Sequence, residues 1–449
     1  MSTSANSSVI RYFRCPEQYG RVEFSGPLSG KNGYFRFGQN TLYGRVNGQR
    51  AVAPVGLSEK EAVETRIKDG IVYLPFDLTE VVDNLRQEVY AQGSGNPLMS
   101  AITAAYYFVR PILPVTVRKH LQGVRLRNWD RLPFPHWPVD RTVDNLMEQV
   151  LLMLLRAENL KEIPFIWFWP DCASSCAVVT HDVETASGVE QCRMLMDVND
   201  SFGVKASFQV VPEERYPVTP AFLESIRERG FEVVVHDLNH DGRLFQDRKR
   251  FVERVAKINA YGKKFGAAGF RAGVLYRNQS WFDLLDFQYD MSVPNVAHLD
   301  PQRGGCCTVM PYFIGRVLEL PVTMTQDYTL FNILNQYSTD LWERQIELIM
   351  EKHGLISVII HPDYITETRE RNLYESLLAY LSKLKHEKDI WITTPGEVNH
   401  WWRQRAEMTI VESNGQLQIE GRGKERARIA YATEKDGRLA LDLRPARAA

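Results

Sequence analysis

From residue 176 onward, short apolar runs alternate with longer segments whose apolar residues recur at helical spacing. The runs are "CAVVTH", "KASFQVV", "FEVVVHD", "AAGFRAG", "RVLELPVT", "ISVIIHP" and "IWITT". Helical patterns separate them at Gly188 to Phe202, Pro220 to Arg229, Asp247 to Phe265, Thr339 to Lys352 and Glu367 to Lys385. Strands alternating with helices predict a parallel sheet, and the elements suffice for a closed or nearly closed α/β barrel. Residues 1 to about 75 read differently. Runs such as "YGRVEFSG", "GYFRFG" and "TLYGRVNG", split by Gly and Asn, predict hairpins or a small sheet. From about 76 to 165 the pattern is mostly helical, and beyond Met408 short alternating runs return with Asn-Gly and Asp-Gly turns. The expected organisation is an N-terminal mixed α+β domain over 1–165, a barrel over 166–407 and a small C-terminal β module over 408–449.

Composition narrows the class. With 449 residues, 44% hydrophobic and 24% charged, the chain has the make-up of a soluble globular protein. A net charge of −1 gives no global attraction to nucleic acid. The six cysteines form no disulfide framework, since Cys306 and Cys307 are adjacent and Cys172 and Cys176 lack a second pair. The start "MSTSANSSVIRYFRC" shows no basic region followed by an apolar stretch, so a cytoplasmic protein is expected. "LMSAITAAYYFVRPILPVTV" and "VLLMLLRAENLKEIPFIWFW" are interrupted by charge or proline and do not make a clean membrane span. Between Arg110 and Arg131, six basic residues stand against Asp130 alone. That stretch reads as a solvated face or, alternatively, a peripheral contact with an anionic membrane surface.

In an α/β barrel, chemistry collects at the carboxyl ends of the strands, and these ends are repeatedly polar. After "AVV" come Thr180, His181, Asp182 and Glu184. After "FEVVV" come His236, Asp237 and His240; after "AAGF", Arg271; near "FQY", Asp290; after "SVII", His361. Asp182 and Glu184 share a side if the strand persists past Thr180, although an acid here also suits the cap of the following helix. His236 and His240, four apart, place two imidazoles about 6 Å apart on a helical face, suited to one divalent metal. Glu184 is the candidate third ligand, leaving a fourth position open to water. The competing reading is a pair of hydrogen-bonded histidines at a helix start.

Taken in order, "THDVE", "HDLNH", "RAG", "YDMS" and "IIHP" resemble the five motif regions of the polysaccharide deacetylases, the NodB-homology group of carbohydrate esterase family four. The resemblance covers roughly residues 171 to 405. It implies a distorted (β/α) barrel and a metal-dependent deacetylase that removes an acetyl group from an N-acetylated sugar or glycan precursor. The cofactor it implies is a divalent metal, with zinc first and cobalt, nickel or iron as alternatives. It gives Asp182 the position of the general base, Arg271 that of the base's partner, His361 that of the general acid and Asp290 that of the carboxylate pairing with His361. Glu184, His236 and His240 take the metal positions.

The chain departs from the family pattern in three places. Val183 separates Asp182 from Glu184 where the family has adjacent aspartates, "FRAGV" lacks the usual proline, and no Asp-Trp pair follows Asp290. Hydrolysis of a cyclic ureide or imide and a catalytically silent sugar-binding barrel therefore stand as alternatives. Tyr364, in "HPDY", and His181 are weaker candidates for the substrate pocket. His298, His400, Trp281, Trp401 and Trp402 suit packing better than a sugar subsite.

Overall fold

The computed structural model describes residues 5–28, 30–48, 62–91, 126 and 128–444. "LMSAITAAYYFVRPILPVTV" and, but for 126 and 128–131, the basic stretch that suggested a membrane contact lie outside the described residues. Among the described residues no helix is long and apolar enough to cross a membrane.

The N-terminal region contains helix α1 (Ala5–Phe13), strands β1 (Val22–Phe24), β2 (Gly33–Phe37), β3 (Asn40–Gly44), β4 (Arg66–Lys68) and β5 (Ile71–Leu74), and helices α2 (Leu78–Arg86) and α3 (Thr142–Ala157). β2 and β3 form the expected hairpin, and β1 lies parallel to β5. Asp77 starts α2 by accepting from the backbone N–H groups of Thr79 and Glu80.

The barrel region follows β6 (Glu162–Ile166). It contains β7 (Cys176–Val183), α4 (Ala186–Ser201), β8 (Ser207–Val210), α5 (Pro220–Arg227), β9 (Glu232–His236) and α6 (Arg248–Phe265). Then come β10 (Gly269–Arg271), β11 (Tyr289–Asp290), β12 (Tyr312–Ile314), β13 (Val317–Glu319), α7 (Asp340–Met350), β14 (Leu355–Ile360), α8 (Thr368–Lys388), β15 (Trp391–Thr393) and α9 (Pro395–Glu407). The sheet order is β12-β13-β11-β10-β9-β8-β7-β14, parallel throughout except for β12 against β13. β15 adds to Cys176–Val178 of β7, while β8 pairs with its later residues. No regular ladder joins β13 to β14. Instead Thr323 and Met324 donate to the Ser357 carbonyl and Thr323 Oγ1 accepts from the Ser357 N–H, a short seam that makes the barrel a distorted one.

Alternation along the strands sorts the core. Ala177 and Val179 face outward with Phe208, Val233, Val235 and Phe270 into one apolar cluster against the helices. Cys176 and Val178 face inward, with Val234, Leu318 and Leu355, into a second cluster that continues through Val143 and Leu146 of α3 and Trp401 and Trp402 of α9. One end of the barrel is thus filled by apolar side chains from the N-terminal region. Further along β7 the inward positions become Thr180 and Asp182.

β16 (Thr409–Ser413) and β17 (Gln416–Glu420) form a two-stranded hairpin. β18 (Ile429–Lys435) and β19 (Arg438–Leu443) form another, and β18 pairs with β6, with Ile429 opposite Ile166 and Thr433 opposite Glu162. Residues 162–166, which lie in the stretch read from sequence as mostly helical, are therefore a strand shared with the C-terminal hairpin. The apolar run "IPFIWFW" packs there instead of propagating α3.

Candidate active site

β7 runs two residues past the apolar run that marked it, so Thr180 and Asp182 both point into the barrel mouth. The cap of α4 is Thr185, whose Oγ1 accepts from the Gly188 N–H at 3.0 Å, and this frees Asp182 from the capping role. Asp182 is 4% exposed and its Oδ1 is ion-paired to Nη1 of the fully buried Arg271. The same Nη1 donates to Thr180 Oγ1 at 2.9 Å, and Arg271 Nε donates to the Met291 carbonyl at 3.0 Å. Burial by itself would push the Asp182 carboxyl up. Arg271, followed by His236 and His361, outweighs it and holds the group below the usual carboxylate range.

Glu184 lies just beyond β7, and its Oε1 is 2.9 Å from His240 Nε2, 3.6 Å from His236 Nε2 and 3.4 Å from His361 Nε2. The ligand atoms of Glu184, His236 and His240 all lie within 4.8 Å of one another. His236 Nδ1 donates to the Arg271 carbonyl at 3.1 Å, which turns Nε2 toward the cluster. Both Nε2 atoms are buried and neither has a hydrogen-bond partner, even though Glu184 is close. Two orphaned imidazole nitrogens beside a carboxylate are a donor set that fits a divalent metal. A second group, Asp182, Glu184 and His361, is equally close, but Asp182 is bound to Arg271 and His361 to another carboxylate, so the first set fits better.

The helical reason for pairing the two histidines does not hold. His236 ends β9, and His240 lies in a loop where Asp237 and His240 have φ of +57° and +53°. The loop is folded back by the Asp237 carboxylate, which accepts from the Leu238 N–H at 2.7 Å and the Gly273 N–H at 3.2 Å. The imidazole centroids end up 4.9 Å apart. Gly273 permits this approach, because a Cβ there would lie 2.5 Å from Asp237 Oδ2 and 2.9 Å from the His240 ring.

His361 follows β14 and is 6% exposed. Its carboxylate partner is Asp327, not Asp290. Asp327 Oδ1 accepts from His361 Nδ1 at 2.6 Å and Oδ2 accepts from the His361 backbone N–H at 2.6 Å. The imidazole is desolvated, which lowers its pKa, yet Asp327 and then Glu184 outweigh this and hold it well above the ordinary histidine value. Asp290 cannot fill that role. It is fully buried in the sheet, where Oδ2 accepts from the Ser292 N–H at 2.7 Å and Oδ1 from the Ser292 hydroxyl at 2.9 Å. Opposite it in the β11–β13 register stands Glu319. Ser292 Oγ in turn accepts from the Ala272 N–H at 2.8 Å, so Asp290 anchors the backbone next to Arg271.

His181 is also displaced from its expected place. Its neighbours Thr180 and Asp182 face inward, so its own side chain faces outward among Phe208 and Tyr374. Nδ1 donates to the Ile360 carbonyl at 3.2 Å and Nε2 accepts from Asn199 Nδ2 at 2.8 Å, and burial pushes its pKa down to about 3. It is a satisfied core histidine. Tyr364 does border the cluster, with its ring 5.1 Å from His361 and 5.5 Å from Tyr328.

No protein-family model matches the chain, and no curated protein does. Solved structures match a little over half of the chain. The chain is similar to polysaccharide deacetylases. One, from Mycobacterium smegmatis and assigned to that class, is 18% identical, with 56% of this chain and 98% of that chain covered at a TM-score of 0.44. Another, from Pseudomonas aeruginosa PAO1, is 13% identical, with coverage of 52% and 93% and a TM-score of 0.39. An allantoinase is likewise 13% identical, with coverage of 52% and 92% and a TM-score of 0.40. What the site can do follows from its own side chains.

Proposed function

We propose that this protein is a metal-dependent hydrolase that removes an acetyl group from an N-acetylated sugar or glycan precursor, with residues 166–407 as its catalytic unit. One observation carries the reading. The unpartnered Nε2 atoms of His236 and His240 meet Glu184 between an arginine-held carboxylate, Asp182, and a carboxylate-held imidazole, His361.

Glu184, His236 and His240 would hold the metal, which when bound supplies positive charge to polarise the acyl carbonyl and to acidify water. Zinc suits a set of two imidazoles and one carboxylate. The proton-transfer work belongs to the chain itself. Asp182, kept ionised by Arg271, accepts the proton of the attacking water at a carboxylate oxygen. His361 holds its proton more tightly than a free imidazole because Asp327 stabilises the imidazolium. With Nδ1 engaged by Asp327, Nε2 is the atom that donates to the departing amine or alcohol. The acetylated sugar is proposed from the five-motif resemblance.

The test is acetate release from N-acetylglucosamine oligomers by wild type and Asp182→Asn, with metal content measured on both. Loss of about 10²-fold or more in rate with metal retained supports the assignment. Full activity in Asp182→Asn removes Asp182 as the base, and a metal-loaded wild type that releases no acetate from any acetylated sugar contradicts the substrate class.

A further inference from the structure

A second cleft, which shares no residue with the site above, opens where α1 and α2 meet residues 310–313 and α9. It has a volume of about 380 Å³, within the range of small-molecule sites. Its wall carries the guanidinium groups of Arg11, Arg14, Arg86 and Arg405 against one carboxylate, Asp83. Asp83 feels the charges of Arg86 and Arg11, but among the described residues none of the four arginines closes an ion pair.

Arg405 is 2% exposed and spends its donors on main-chain carbonyls, those of Trp167, Tyr12, Phe13 and Ile166. Arg14 Nη2 donates to the Met408 carbonyl at 2.6 Å, while its Nε is buried without a partner. Arg86 Nε is likewise buried and unpartnered, and its guanidinium lies over the Tyr312 ring at 5.1 Å. Asp144 behind the wall feels Arg86, and Glu17 acts on Arg14, but four cations around a cavity walled by the single carboxylate of Asp83 leave an excess of positive charge. Burial, reinforced by Arg14, pulls the Arg405 pKa down to about 9. The unmatched charge and the two idle Nε donors ask for an anion that accepts several hydrogen bonds at once. Phosphate meets the planar guanidinium fork with paired acceptors, and arginine is the side chain best suited to it.

We propose that this cleft binds a small organic phosphate carrying at least two negative charges. Arg11 at the rim and Arg86 in the wall contact the phosphates, and Arg14 and Arg405 set the positive field behind them.

Titration calorimetry on the full chain at low salt, with uridine diphosphate as the probe, tests this. Wild type should bind saturably and lose affinity as salt rises. An Arg11→Gln, Arg86→Gln double variant should bind about tenfold or more weakly, a loss of about 1.4 kcal/mol. Among the described residues neither side chain makes a hydrogen bond, but Arg86 lies over Tyr312, so folding of the variant is verified by circular dichroism before affinities are compared. A His236→Ala variant should bind as wild type does, separating this cleft from the proposed metal site. The proposal is overturned by no saturable binding of uridine diphosphate or inorganic pyrophosphate, by unchanged affinity in the folded double variant, or by binding that disappears with His236→Ala.

Discussion

Asp327 offers the sharpest test of how the site handles protons. Its two oxygens accept two different donors of His361, the ring Nδ1 and the backbone N–H, each at 2.6 Å. An asparagine presents one oxygen and one NH2 group, so in Asp327→Asn one donor of the protonated His361 must face another donor. Losing one charge-assisted hydrogen bond is worth about 1.5–3 kcal/mol, which corresponds to about ten- to a hundredfold in rate. The same change removes the negative charge that lifts the His361 pKa, so the imidazole loses its proton at lower pH. Activity that needs protonated His361 falls as pH rises through that pKa, and the alkaline limb of the rate profile should therefore move to lower pH. The assay compares acetate release from an N-acetylglucosamine oligomer with hydrolysis of 4-nitrophenyl acetate. An amine must be protonated to leave, whereas nitrophenolate leaves unaided, so the amide rate should drop by about the full factor and the ester rate by much less. Equal losses on both substrates, or an alkaline limb that stays in place, would refute the acid role of His361.

Gly273→Ala should displace Asp237 or the His240 ring, because the new Cβ has no room beside them; metal affinity should fall about tenfold or more, measured by competition with a chelator. Glu319→Gln should stabilise the protein more at about pH 8 than at about pH 5 in urea unfolding. Burial, then the charge of Asp290, pushes the Glu319 carboxyl well above its usual range. The fold keeps that proton after the unfolded chain has lost it, so stability is full below the unfolded pKa and drains away as pH rises toward the folded one. A glutamine is exempt from this loss, and a variant with the pH dependence of wild type would contradict the account. His181→Phe should cost about 1–3 kcal/mol of stability by orphaning Asn199 Nδ2 and the Ile360 carbonyl, while leaving kcat unchanged; a large fall in kcat at constant stability would return His181 to the site.

The barrel strands were legible because apolar runs bounded by polar residues mark buried parallel strands, and β7, β8, β9, β10, β13, β14 and β15 all coincide with such runs. From sequence, strand alternation puts Asp182 and Glu184 on one side; in the structure the same alternation turns Thr180 and Asp182 inward and His181 outward, which contradicts its use in a pocket. His236 and His240 were found by a helical spacing that the fold does not use; a strand end and two left-handed residues bring them together instead. Asp290 and Asp327 show what a local reading misses. Asp290 sits in "YDMS" at a strand end, yet that strand holds two residues and its carboxylate is consumed by Ser292. Asp327 lies eight residues beyond Glu319, the last residue of β13, past the Thr323 seam to β14. The signal available was the run "RVLELPVT", which is followed by "MTQD" just as the other strands are followed by their polar residues. The pairing of β6 with β18 joins residues far apart in the chain, and no local pattern announces it.

Whether Glu184, His236 and His240 form a metal centre is read from the metal content of protein purified without chelator. Wild type is compared with a His236→Ala, His240→Ala double variant whose folding is checked by circular dichroism. A metal centre requires about one zinc, cobalt, nickel or iron ion per wild-type chain and none in the variant. Metal-free wild type even after reconstitution, or metal retained in the variant, would contradict it.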